Sequence, residues 1–361
     1  MSEDMLTSKP KKPVGIKDVA NLAGVSVSTV SNVLNGTKAV SEELRSRVMQ
    51  AVEELHYEVN MVARGLKSGK TNNLAVIVSS LTSVFFPPLL QAIQSSANEH
   101  GYMVSVFATD GDFEKEKKFI HMLRMQWIDG ILLSSCADIS SPKRNAYIQE
   151  LSSLQNNGRP IPVICLESEL GSSLDAVVVD DVTGITDAVE HLYHLGRRNI
   201  AYISFPESYT MGKFRRKGYE QALRSLDLNL NKRLIAMGSS SPQSGYDAMK
   251  ILLSSGEKID AVIAGNDQMA IGAMRAVLDE GLRIPEDIAL VGYDDNFPAS
   301  LTQLSTIHVP REDMGRSAFE LFLRRSNSPD ASRILVRLNG TLVVRRSTVA
   351  GADSPWELSN W

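Results

Sequence analysis

Ile16-Lys-Asp-Val-Ala-Asn-Leu-Ala-Gly-Val-Ser-Val-Ser-Thr-Val-Ser-Asn-Val-Leu-Asn-Gly36 decides how the chain begins. Ile16, Val19, Ala20 and Ala23 recur at helical spacing, and Val27, Val30 and Leu34 do so again. Ala20 is small where two helices cross closely. Gly24 comes four residues later, where a helix ends and a left-handed backbone costs least. Val25 plugs the turn and Ser26 caps the next helix. With Val30 and Val33 or Leu34 facing inward, Ser28, Thr29, Ser31 and Asn32 point outward. Short polar side chains on an exposed helix can reach base edges or phosphates. Ser41 caps a third helix, Glu42 and Glu43 suit its positive end, and Leu44, Val48, Ala51, Val52 and Leu55 form its apolar stripe. The alternative is a small bundle that packs on the rest of the protein.

From Leu74 the texture changes. Apolar runs at Leu74–Val78, Met103–Phe107, Gly130–Leu133, Val163–Leu166, Val177–Val179, Ile200–Ile203, Ala261–Ala264 and Ile288–Gly292 alternate with amphipathic stretches. Such runs read as parallel strands buried on both faces, in repeated βαβ units. Roughly 270 residues of this exceed one comfortable sheet, so two Rossmann-like lobes are expected.

Composition agrees. Of 361 residues, 43% are hydrophobic and 22% charged, an ordinary globular balance. The net charge of −4 is uneven: residues 1–70 carry +2 and the remainder −6. Cys136 and Cys165 read as buried thiols of a reducing compartment, and no CxxC or clustered His supports a metal site. No apolar leader follows Lys9, Lys11 and Lys12, and no run of about 18 apolar residues occurs, so a cytoplasmic chain without membrane contact is expected.

The residues Ile16-Lys-Asp-Val-Ala, Ala23-Gly-Val-Ser, Thr29-Val-Ser, Val33-Leu-Asn, Leu55-His-Tyr and Val62-Ala-Arg-Gly-Leu resemble the lactose- and galactose-repressor family of bacterial transcription regulators. The likeness runs from about Ile16 to Thr348. It implies an all-α helix-turn-helix head and a two-lobed core like that of periplasmic binding proteins. It also implies a second helix lying in the major groove, read by Val27, Ser28 and Asn32 with Thr29 beside them. Position 32 is often Arg in that family. Asn pairs with the adenine N6/N7 edge where Arg favours guanine, so a relative's operator does not transfer.

Asn60 to Ser68 can form about two helical turns, marginal in water and weakened at Gly65 by roughly 1 kcal/mol. The resemblance implies a hinge helix that folds on DNA and inserts Leu66 into the minor groove, with Asn60, Ala63, Arg64 and Lys67 around it. A plain linker with Leu66 packed on the core is the other reading.

In α/β sheets ligands lie beyond the carboxyl ends of strands. The residues there are Phe85 and Phe86, which stack on a ligand ring or belong to the core, then Glu167, then Arg215 in an Arg-x-x-Gly218-aromatic pattern. Asn266, Asp267 and Asp294 follow, as ligand acceptors or as caps and lobe-closing contacts. By resemblance Arg215 clamps ligand hydroxyls or a carboxylate. Such a set suits a carbohydrate effector better than a phosphate, which wants several cations or a Gly-rich nest.

No Ser–His–Asp, HExxH or P-loop pattern appears, so neither catalysis nor a cofactor is expected. The expected partners are a near-palindromic double-stranded DNA operator, a small-molecule effector and a second copy of the chain; the tail Ser354–Trp361 lacks a leucine heptad that would make tetramers. A solute-binding protein of a transport system is the rival, and it should carry an export signal and no helix-turn-helix. The expected segments are a tail (1–15), the head (16–60), the hinge (61–73), the effector and dimerisation domain (74–349) and a second tail (350–361). Crossings between lobes are expected near 178–180, 307–311 and 335–338.

Overall fold

The computed structural model describes residues 14–35, 38–57, 70–126, 128–138, 141 and 144–352. It divides into two compact units, residues 1–71 and 72–361.

The smaller unit has three helices, α1 (Ile16–Ala23), α2 (Val27–Asn35) and α3 (Glu42–Glu54). Val19, Ala20, Ala23, Val30, Val33, Val48 and Ala51 make its core, with Val25 and Leu34 packed against them. α1 ends at Gly24, whose φ of 62° is left-handed, and the Val25 amide returns to the Ala20 carbonyl at 3.0 Å. Ser26 Oγ accepts from the Thr29 amide at 3.1 Å and so caps α2. Arg47 of α3 locks the turn from outside, its Nη2 donating to the Ala23 carbonyl at 2.6 Å.

The larger unit holds two six-stranded sheets. The first lobe is wholly parallel, in the order β13 (Leu335–Leu338), β7 (Asp175–Val179), β6 (Val163–Leu166), β3 (Gly130–Leu133), β1 (Asn73–Val78), β2 (Met103–Ala108). The second runs β14 (Thr341–Val343), β12 (Ser305–His308), β11 (Ala289–Asp294), β10 (Ala261–Ala264), β8 (Ile200–Ser204), β9 (Ile235–Met237). The expectation of parallel strands holds except at β14, which runs antiparallel to β12 along the sheet edge. A small hairpin, β4 (Gln155–Asn156) and β5 (Arg159–Pro160), stands apart.

Helices α4 (Phe86–Glu99), α5 (Phe113–Met125), α6 (Arg144–Ser152) and α12 (Arg311–Asn327) serve the first sheet. The second is served by α7 (Asp181–His194), α8 (Thr210–Ser225), α9 (Pro242–Leu253), α10 (Asp267–Asp279) and the short α11 (Phe297–Leu301). The strands most enclosed between helices, β3, β6, β8, β10 and β11, are buried along their whole length, as continuous apolar runs demand. The chain passes between lobes at Asp180, at Val309–Pro310 and at Asn339–Gly340. β1 and β2, like β8 and β9, are neighbours, after which β3 and β10 each take the opposite side. That reversal is the topology at which such sheets take ligands, beyond the carboxyl ends of their strands.

Candidate DNA-contacting helix and effector cleft

On the small unit, Val27, Ser28 and Thr29 form the first turn of α2. Val27 and Ser28 are exposed, whereas Thr29 and Asn32 are half-buried. Ser26 Oγ lies 2.7 Å from Ser28 Oγ and 2.9 Å from Thr29 Oγ1, so the hydroxyls expected to meet DNA are already arrayed along one end of the helix. The hinge residues Asn60, Ala63, Arg64, Leu66 and Lys67 lie outside the described residues.

In the larger unit the Arg-x-x-Gly pattern has a packing reason. A Cβ on Gly218 would stand 2.7 Å from the Val182 carbonyl oxygen, so only glycine lets α8 lie this close to α7. The approach brings Arg215 of α8 to Asp181, the first residue of α7: Nε donates to Oδ1 at 2.8 Å. Arg215 Nη1 donates to the Gly265 carbonyl, Nη2 lies 3.6 Å from Asp294 Oδ1, and the guanidinium sits 3.7 Å above the Tyr293 ring. All three ionic side chains are at most 8% exposed, so the screening that weakens surface pairs is absent.

Asp294 ends β11 with a φ of 107°, a strain found where surrounding structure over-determines the backbone. Burial pushes its carboxyl up to about 6, against the pull of Arg215 and Arg311. From the other lobe comes Glu167, immediately after β6 and also left-handed at a φ of 61°. Ser134 Oγ, just past β3, donates to it. Burial pushes Glu167 up to about 7; Asp294 and Asp181 add to the rise, while the Ser134 bond and Arg215 oppose it. Carboxylates of both lobes therefore share one electrostatic environment with the deeply buried Arg215.

Asn266 caps α10, its Oδ1 accepting from the Met269 amide at 2.9 Å, and its amide nitrogen reaches the Ser240 carbonyl at 3.4 Å. The ligand role expected of Asp267 needs correction. Its side chain is wholly enclosed, accepting from the Asn296 amide at 2.7 Å and from Thr306 Oγ1, and burial raises its pKa well above the ordinary range. It braces the loop after β11 from behind. Phe85 and Phe86 are also corrected. They pack edge to face at 5.3 Å and belong to the hydrophobic core at the start of α4.

Asp181, Ser134, Tyr293 and Arg311 escaped the sequence reading. Asp181 follows the Val177–Val179 run almost directly, so inspecting every strand end would have found it. Arg311 had no such signal. Its Nη1 donates to Asn296 Oδ1 at 2.6 Å and its Nη2 to the Asp295 carbonyl at 2.8 Å, tying the first residue of α12 to the loop that carries Asp294. Asp295 itself points away: His308 Nδ1 at 3.0 Å and Arg345 Nη2 at 2.7 Å hold its carboxyl below the usual range although burial opposes them.

Acceptors outnumber cations here, which suits a ligand rich in hydroxyl donors. Among the described residues no His, Cys, Asp and Glu cluster could hold a metal, and no helix is long and apolar enough to cross a membrane.

A three-helix unit with an exposed, hydroxyl-lined second helix, joined to a two-lobed α/β core with a polar cleft, defines a ligand-sensing DNA-binding regulator. The comparisons agree. Residues 15–60 match the bacterial regulatory proteins of the lacI family, and residues 71–341 match the periplasmic binding proteins and sugar binding domain of that family. The chain belongs to the lacI family: it is a DNA-binding transcription regulator, not an enzyme. It is 33% identical over 345 residues to the HTH-type transcriptional repressor PurR of Pectobacterium carotovorum subsp. carotovorum (strain PC1), covering 94% of this chain and 98% of that one. A crystal structure of the Lac repressor dimer bound to operator and the anti-inducer ONPF is similar, with a TM-score of 0.82, 30% identity, and 93% and 99% of the two chains covered. The transcriptional regulator CelR in complex with cellobiose gives a TM-score of 0.69 at 28% identity, covering 92% of this chain and 99% of that one.

Proposed function

We propose that the chain is a cytoplasmic repressor whose affinity for a near-palindromic operator is set by a carbohydrate bound between the lobes of residues 74–349. The observation that carries the ligand class is the cleft itself, where Arg215 stands between Asp181 and Asp294 with Glu167 contributed by the other lobe. A sugar offers hydroxyls that donate to carboxylates and accept from one guanidinium. A sugar phosphate would add charge to a site already rich in anions. The cellobiose held by the CelR relative supports this reading.

The head (16–60) reads bases with Val27, Ser28, Thr29 and Asn32. The connector (61–73) places Leu66 in the minor groove, with Asn60, Ala63, Arg64 and Lys67 at the backbone. The protein works as a homodimer, as the Lac repressor relative does. The exposed Met103 and Val106 of edge strand β2, and Met237 of the matching edge strand β9, supply apolar surface for the contact. A hundredfold change in operator affinity requires only about 2.7 kcal/mol of differential binding.

The test is a thermal-shift screen of the full chain with sugars, sugar phosphates and nucleobases, repeated in Arg215→Met and Asp294→Asn. A sugar should raise the midpoint of the parent and of neither variant. A ligand that binds both variants normally places the site elsewhere, and a sugar phosphate or nucleobase as the sole hit removes the carbohydrate reading.

A further inference from the structure

Glu116 of α5 is wholly buried in the first lobe, and its carboxylate gathers donors from two other elements. Oε1 accepts from Ser135 Oγ and from the Tyr147 hydroxyl of α6, each at 2.6 Å. Oε2 accepts from the Cys136 amide at 2.7 Å and from Cys136 Sγ at 3.0 Å. Burial, reinforced by Glu116, pushes the Cys136 thiol up to about 12 and raises the Tyr147 phenol as well, so both keep the protons they donate. Burying a carboxylate is costly, and apolar residues would fill the same space without that cost. What the carboxylate adds is a fixed position for Ser135 and Cys136, which lie just past the end of β3.

Ser134 stands between β3 and that anchor, and its hydroxyl donates to Glu167 in the cleft. Two consecutive serines thus serve two carboxylates, Ser135 the buried one on α5 and Ser134 the one at the cleft. On the reading that the cleft holds the effector, we propose that Glu116 is a positioning residue for it: by fixing Ser135 and Cys136 it aims the Ser134 hydroxyl at Glu167. Without the anchor Ser134 turns freely, and Glu167 loses a bond that favours its charged form. Burial, Asp294 and Asp181 disfavour that form, and Arg215 is left to support it.

The direction of the effect separates this role from a direct one. Taking a negative charge away from the neighbourhood of Glu167 would lower its titration midpoint, whereas losing the Ser134 donor raises it.

The experiment follows the Glu167 carboxyl by carbon-13 NMR against pH, in the full chain without ligand, its resonance identified by its loss in Glu167→Gln. Glu116→Gln keeps the volume but, whichever way the amide turns, sets its nitrogen against two donors. The Glu167 midpoint should move upward by about one pH unit, the size of one hydrogen bond to a carboxylate. Ser134→Ala should move it equally, and the double variant no further than either alone. Ser135→Ala, which leaves Glu116 in place, should give part of the move, and Tyr147→Phe, which releases only α6, none. An unmoved midpoint in Glu116→Gln overturns the proposal, or in Ser135→Ala should Glu116→Gln fail to fold. A downward move, or equal moves in Glu116→Gln and Tyr147→Phe, overturns it too. The expected upward move in a chain that binds no sugar supports the role of Glu116 and removes the carbohydrate reading; an unmoved midpoint in a chain that binds sugar does the reverse.

Discussion

Gly218 and the Val182 carbonyl oxygen are so close that a methyl group on Gly218 would lie 2.7 Å from that oxygen. The contact sets the spacing of α7 and α8, and through it the 2.8 Å bond between Arg215 and Asp181. Gly218→Ala must therefore push the helices apart, at a cost of about 1–3 kcal/mol typical of overpacking. Effector affinity should fall on the order of tenfold, because Arg215 moves with its helix. Calorimetric titration with the effector checks this; unchanged affinity would mean that Arg215 does not report helix spacing.

The cleft carboxylates give a pH dependence with a definite sign. Glu167 and Asp294 have raised folded-state values, about 7 and about 6, so the folded protein binds more protons than the unfolded chain over the interval below them. Their contribution is fully present below the ordinary carboxylate range and is lost as pH rises through about 6 and then about 7. Stability measured by denaturant titration should decline across that window, and less steeply in Glu167→Gln. Affinity for a hydroxyl-donating ligand should move oppositely, tightening as the carboxylates ionise.

Arg47 holds the turn between α1 and α2 by its bond to the Ala23 carbonyl at 2.6 Å, with the Gly24 carbonyl at 3.3 Å. Arg47→Met keeps the stem and removes these bonds, worth about 1–3 kcal/mol for a charged donor. Hydrogen exchange should quicken in α1 and α2, and operator affinity should drop about fivefold or more. Effector binding to the other unit should be unchanged.

Asn32 supplies a test of base reading. Asn32→Arg should shift the preferred base at one symmetric operator position from adenine to guanine, a discrimination worth about 1–3 kcal/mol. Selection from randomised duplex DNA measures it, and an unaltered preferred sequence would take Asn32 out of the contact set.

The parts legible from sequence were those in which local chemistry and the global fold agree. Gly24, Val25 and Ser26 each have one workable role in the turn, and each has it in the structure. Strands with unbroken apolar runs were equally plain. β9, β12, β13 and β14 were not among them: β9 and β14 have three residues each, and Thr306, His308 and Arg337 interrupt the apolar character of β12 and β13. At the cleft, position beyond a strand end pointed to Glu167 and Asp294 and the family's Arg-x-x-Gly pattern to Arg215, but neither could tell Asn266 from Asp267. That choice rests on which way a carboxylate turns, and for Asp267 it is decided by Thr306 and the Asn296 amide, residues distant in sequence.

The three passages at Asp180, Val309–Pro310 and Asn339–Gly340 mean that neither lobe is one continuous stretch of polypeptide. During synthesis the first sheet remains open at β7 until β13, far later in the chain, has left the ribosome. A messenger cut short after β11 would encode two unfinished lobes instead of one good one. Repression should accordingly vanish abruptly with C-terminal truncation, since the sensor becomes a folded object only when almost all of it has been made.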